Sequence, residues 1–123
     1  MGLLDKVLGN ATEVNKDTLE QELAPILTEG EEVISGFVIW RDVFAFTSKR
    51  LVVIDKQGIT GKKREYMSIP FRSIDAFAAE TAGTLDRDSE LKLWIRGQGM
   101  VKYEIKKGYD IRGLCKQLGE FVL

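Results

Sequence analysis

Apolar positions along the chain keep three successive rhythms. Up to Gly30 they recur every three or four residues, from Glu32 to about Lys106 every second residue, and beyond Asp110 the longer spacing returns. A period near 3.6 marks an amphipathic helix and a period of two a half-buried strand. Leu3, Leu4, Val7, Leu8, Ala11 and Val14 share one helical face. Leu19, Leu23, Ile26 and Leu27 form the stripe of a second helix, with Asn15 or Asp17 as its cap. Asp17 and Glu20 have the spacing of a capping box. Pro25 falls within this stripe and is expected to end or kink the helix near Ala24.

The strand region opens with Val33 to Trp40, apolar on both faces, with Gly36 at its centre as the mark of a bulge or bend. A hairpin follows: Val43–Phe46 is one strand, Arg50–Asp55 the other, and Thr47-Ser48-Lys49 the polar turn. Lys63–Ile69 reads as a more polar strand that Pro70 interrupts, and Ile74–Thr81 as a small, alanine-rich one. The last two strands alternate. Leu91, Leu93 and Ile95 oppose Glu90, Lys92, Trp94 and Arg96; Val101, Tyr103 and Ile105 oppose Lys102, Glu104 and Lys106. Such alternation means one buried and one exposed sheet face, and Gly97-Gln98-Gly99 supplies the connecting turn. The final helix takes Asp110 as N-cap, with Tyr109 and Leu114 spaced as a hydrophobic staple. Its apolar stripe is Ile111, Leu114, Cys115, Leu118 and Val122.

The expected order is helix, helix, seven antiparallel strands, helix. It predicts a mainly β fold: a small, strongly bent antiparallel sheet or barrel capped by the C-terminal helix, with helices in front. We expect one domain over residues 1–123, divided into a helical segment (1–29), a β-core (30–107) and a capping helix (108–123).

Composition narrows the chemistry more than it directs it. The 18 basic and 19 acidic residues leave a net charge of −1, so nothing global draws the chain to nucleic acid or an anionic membrane. The absence of histidine removes the commonest general base and metal ligand, and the single Cys115 rules out an intramolecular disulfide. No cofactor or metal is expected. No apolar run approaches the roughly 20 residues of a membrane span, and the start, Met1-Gly2-Leu3-Leu4-Asp5-Lys6, lacks the basic region of a signal peptide. A cytoplasmic protein is expected.

Arg41-Asp42, Phe46-Thr47-Ser48-Lys49-Arg50-Leu51, Gly58-Ile59-Thr60-Gly61-Lys62-Lys63 and Ser68-Ile69-Pro70-Phe71-Arg72-Ser73-Ile74 occur in an order and spacing that resembles the bacterial pleckstrin-homology (PH)-like family of small uncharacterised proteins. The likeness runs over nearly the whole chain. It implies a PH-type fold, cyclic ring-shaped homo-oligomers (pentamers), no known enzyme activity, and protein–protein interaction through a polar surface of the ring. The chain ends after one C-terminal helix, which within the family favours the smaller ring.

Two sets of residues are candidates for recognition. Arg41, Asp42, Lys49 and Arg50 lie in or near turns of the early strands, and Trp94 stands on a polar strand face where an aromatic suits a protein interface. The plainer readings are local ion pairing for the four and cover by the N-terminal helices for Trp94. Lys62, Lys63 and Arg64 form the densest basic run, a possible seat for an anionic lipid headgroup. Glu65 offsets that run, and stable membrane anchoring needs a larger cluster or a second signal, so a solvated strand start outweighs it. Asp86, Asp88 and Glu90 sit in a loop around Arg87 without the look of an acid–base pair. Cys115, on an apolar stripe, is expected to pack rather than react. A non-enzymatic self-assembling binding module leads; an anionic-headgroup binder at the inner membrane is the alternative.

Overall fold

A computed structural model describes residues 14–39, 42–57, 63–81 and 88–123. The helix expected ahead of Val14, together with Trp40, Arg41, Lys62 and residues 82–87, lies outside the described residues. The chain divides into two compact units, Met1–Ser68 and Ile69–Leu123.

In the first unit, helix α1 (Lys16–Leu23) starts where the Asn15 side chain accepts hydrogen bonds from the Asp17 and Thr18 amides, at 2.9 and 3.2 Å. Asn15 is therefore the cap. The helix stops two residues before Pro25, as ring geometry requires. Its buried stripe, Leu19 and Leu23, faces the sheet. Strands β1 (Val33–Ile39), β2 (Asp42–Thr47), β3 (Arg50–Gln57) and β4 (Lys63–Pro70) follow and hydrogen-bond in chain order. Val43 to Thr47 and Leu51 to Ile54 are buried without a break, so β2 and β3 are covered on both faces. This is why they read as continuous apolar runs. The Phe37 and Phe46 rings meet edge to face at 6.2 Å.

Gly36 has a different role from the expected bulge. The register shift falls earlier, between Val33 and Ser35. A Cβ at position 36 would sit 2.6 Å from Leu19 Cδ2, so glycine lets α1 lie close on β1. Val14 N donates to the Gly36 carbonyl at 2.8 Å and ties the chain ahead of α1 to the same spot.

In the second unit, a 3₁₀ turn (Phe71–Ser73) follows Pro70 and leads into β5 (Ile74–Glu80), β6 (Ser89–Ile95) and β7 (Gly99–Ile105), in the order β5-β6-β7. As expected, the strands are seven and antiparallel; among the described residues they form two sheets, of four and three. Leu91, Leu93, Ile95 and Ile105 point into the core, as the alternation predicts; Val101 and Tyr103 remain half-buried. Gly97 and Gly99 both have positive φ, 82° and 93°, and close the β6–β7 turn without side-chain strain. Helix α2 (Ile111–Val122) is capped by Asp110, whose carboxylate accepts from the Gly113 amide at 2.9 Å. It packs on β5, β6 and the 3₁₀ turn through Ile111, Leu114 and Leu118, and Phe121 stacks on Phe71 at 4.8 Å. Cys115 is half-buried on the flank of that stripe rather than within it.

Candidate functional site

Thr47 ends β2 and Arg50 begins β3, so Ser48 and Lys49 make a turn that needs its polar groups satisfied. The Thr47 hydroxyl accepts from the Lys49 and Arg50 amides at 3.1 and 3.0 Å and donates to Glu31 Oε2 at 2.6 Å. Arg50 grips the same carboxylate with both arms of its fork: Nε to Oε2 at 2.8 Å and Nη2 to Oε1 at 2.9 Å. The Thr28 amide and hydroxyl complete the coordination of Oε1, at 3.0 and 3.1 Å. The Glu31 side chain has no exposed surface. The Arg50 hydrogen bonds, followed by those from Thr28 and Thr47, outweigh its burial and hold its carboxyl far below the usual carboxylate range. Glu31 in turn raises the Arg50 pKa.

Arg50 is otherwise occupied too. Nη1 donates to Ser68 Oγ at 2.7 Å and Nη2 to the Ile26 carbonyl at 2.8 Å. Its guanidinium thus pins the chain after α1, the β2–β3 turn and β4 together within the first unit. What the turn displays outward is Lys49, whose exposed Nζ lies 3.2 Å from Thr28 Oγ1. Glu31 and Thr47 were not singled out from the sequence. Three glutamates flank Gly30, at 29, 31 and 32, and nothing in their order tells which one is buried.

Asp42 lies at the start of β2, half-buried. The pairing of Val43 with Ile54 sets Asp42 opposite Asp55. Burial, then the charge and hydrogen bond of Asp55, then the charge of Glu65, push its carboxyl up to about 6. Arg41 is outside the described residues. Of the basic run, Lys63 is exposed, Arg64 Nε lies 3.0 Å from Glu22 Oε1, and Lys62 is again outside the described residues.

The outward face of the three-stranded sheet has an ordered pattern. Ala76, Trp94 and Met100 are cross-strand neighbours in one row; Ala78, Lys92 and Lys102 form the next; Glu80, Glu90 and Glu104 the third. Trp94 is 39% and Met100 47% exposed, the two largest apolar side chains presented by this face. Lys92 and Lys102 reach the acidic row at 3.9 Å (Glu80) and 3.6 Å (Glu90), and Arg96 Nη2 meets Asp75 at 3.0 Å beside the tryptophan. An aromatic and a methionine rimmed by paired charges have the make-up of a protein contact patch. Asp42, Lys49 and Arg50 belong to the first unit and Trp94 to the second.

Among the described residues, no group of three or more Asp, Glu or Cys side chains is arranged to hold a metal ion, and no helix is long and apolar enough to cross a membrane.

Known proteins bear on these features. YjqA of Bacillus subtilis strain 168, an uncharacterised protein, is 49% identical over 120 residues, covering 96% of each chain. YozO of the same organism, also uncharacterised, is 32% identical over 98 residues, covering 80% of this chain and 84% of its own. Among solved structures, a pleckstrin homology domain from Shewanella amazonensis SB2B superposes with a TM-score of 0.83 at 50% identity, with 99% of both chains covered. A protein with a pleckstrin-homology domain from Shewanella loihica PV-4 gives 0.77 at 51% identity, with 94% of this chain and 99% of its own covered. The family model described as "Bacterial PH domain" matches residues 2–122, and with these relatives it places the chain in the bacterial PH domain family.

Proposed function

We propose that this protein is a non-enzymatic binding module that assembles into a cyclic homo-oligomer and recognises a protein partner through a polar surface, in the cytoplasm. The observation that supports protein contact is the outward face of the three-stranded sheet, polar through its charge pairs and with the exposed Ala76–Trp94–Met100 row set among them. Truncating an exposed aromatic anchor of this kind typically costs about 2 kcal/mol or more of binding. In the first unit, Lys49, on the turn fixed by the Glu31–Arg50 network, Asp42 and Arg41 are proposed separately as further recognition residues. Arg50 serves recognition indirectly, by fixing the turn that carries Lys49.

The test is affinity capture with the native protein, followed by titration of each captured partner in purified form. Wild type, Trp94→Ala, Lys49→Ala and Arg41→Ala are compared, with light scattering to follow the assembly. The proposal expects Trp94→Ala to weaken partner binding at least tenfold while the assembly mass stays that of wild type. Unchanged affinity for every partner refutes the role given to Trp94. The alternative, an anionic headgroup at Lys62, Lys63 and Arg64, has less support because Arg64 is engaged with Glu22. Sedimentation with phosphatidylglycerol vesicles at low salt separates the two readings.

A further inference from the structure

The outward face of the three-stranded sheet sorts its side chains by kind. Along β6 the order is Trp94, Lys92, Glu90, and β7 repeats it in register with Met100, Lys102 and Glu104. On β5 the same rows hold Ala76, Ala78 and Glu80. An apolar, a cationic and an anionic band therefore cross the strands in that order, and strand rise sets neighbouring bands about 7 Å apart. Banding puts like charges directly opposite one another, Lys92 against Lys102 and Glu90 against both Glu80 and Glu104. Such pairs work against the sheet, whereas opposite charges across the strands would support it. The ion pairs run between bands instead, Lys92 to Glu80 at 3.9 Å and Lys102 to Glu90 at 3.6 Å. Both join side chains that water reaches and are worth little by themselves, so a partner's charges can take their place.

We propose that this face binds an extended segment of a different protein whose side chains follow the complementary order: an apolar residue over Trp94 and Met100, a carboxylate over Lys92 and Lys102, and a cation over the glutamates. In an extended chain every second side chain faces the same way and advances about 7 Å, which matches the band spacing. The segment therefore reads apolar-x-acidic-x-basic, in either chain direction, with the acidic residue always in the middle. Ala76 and Ala78 are too small to rise beside Trp94 and Lys92, which leaves a lane along β5 for such a segment. On the far side of Trp94, Arg96 is already paired with Asp75 at 3.0 Å, so the unbalanced cations that border the apolar band are the two lysines. The face does not complement itself. Its own apolar band borders lysines, so a second copy does not present carboxylates where the lysines need them.

The proposal rests on the recognition reading above and names the chemistry of the partner. The test is selection from a random phage-displayed peptide library on the native protein. Each selected peptide is then titrated in purified form against wild type, Trp94→Ala and a double variant carrying Lys92→Glu and Lys102→Glu. Circular dichroism checks folding, and a double variant carrying Lys92→Gln and Lys102→Gln stands in if the exchange does not fold. Peptides of the apolar-x-acidic-x-basic order are expected. Trp94→Ala and the lysine exchange should each weaken them by about tenfold or more, and the second loss should shrink at high salt. Selection on the exchanged protein is expected to turn the middle residue basic. Peptides that need Trp94 but show no charge order, or that bind the lysine variants as well as wild type, overturn the complementary banding and leave Trp94 as a recognition residue. A selection with no peptide sensitive to Trp94→Ala overturns both. An assembly mass that falls in Trp94→Ala places a second copy on this face and overturns the proposal of a different protein.

Discussion

Glu31 and Asp42 are carboxylates of the same unit with opposite electrostatic histories, and they make opposite predictions. The folded state lowers the Glu31 pKa from its ordinary 4.5. Below pH 4.5 the unfolded chain binds the proton more readily, so the stability contributed by Glu31 is complete above that pH and drains away as the solution is acidified. Glu31→Gln leaves Arg50 in place without its counter-charge, and we expect a loss of about 3 kcal/mol in urea unfolding at pH 7. Asp42 runs the other way. Its folded pKa is raised from 3.8 to about 6, so the folded state holds the proton more tightly and stability falls as pH rises through that interval. Asp42→Asn is expected to stabilise the protein by about 2 kcal/mol at pH 7 and to make no difference below pH 4. Equal stability of the two proteins at pH 7 would show that Asp42 is not penalised. The sequence marked Asp42 and Arg50 as notable but did not show their company. Glu31, Ile26 and Ser68 are brought to Arg50 by the first sheet and the chain after α1, a juxtaposition of residues up to 24 positions from it that local spacing does not encode.

At the scale of elements, period and capping chemistry carried most of the information. The alternation in β6 places Leu91, Leu93 and Ile95 inward because one face of that sheet is covered, and the 3.6 rhythm places Ile111, Leu114 and Leu118 inward for the same reason. Asp110 was legible as a cap because its carboxylate satisfies an otherwise unpaired helix amide. Asp110→Ala is expected to cost about 1 kcal/mol and to lower the melting temperature by a few degrees; a melting curve identical to wild type would remove the cap's role. Legibility failed where tertiary neighbours decide. Gly36 signals some departure from ordinary strand packing, but only the position of Leu19 shows that the departure is a helix lying close rather than a bulge. Cys115 fits the apolar spacing of α2, yet it stands half-buried at the margin of the stripe, a difference that spacing alone does not show.

For the molecule as a whole, the two carboxylates together predict a stability maximum at about pH 4, between the ordinary values of 3.8 for Asp42 and 4.5 for Glu31, with Glu31 setting the acid limb and Asp42 the alkaline one. Chemical denaturation at half-unit steps of pH checks this, and Asp42→Asn should flatten the alkaline limb alone. The family was readable from the order of turns and strands, because the PH fold is specified by where the chain reverses. The recognition surface was only partly readable: alternation put Trp94 on the outward face, but the row it makes with Ala76 and Met100 depends on inter-strand register, which residue spacing leaves open. The half-buried thiol at position 115 has a practical consequence. As the sole sulfhydryl in 123 residues, it lets one maleimide dye be placed on each chain without engineering, so stepwise photobleaching of single particles would count subunits directly.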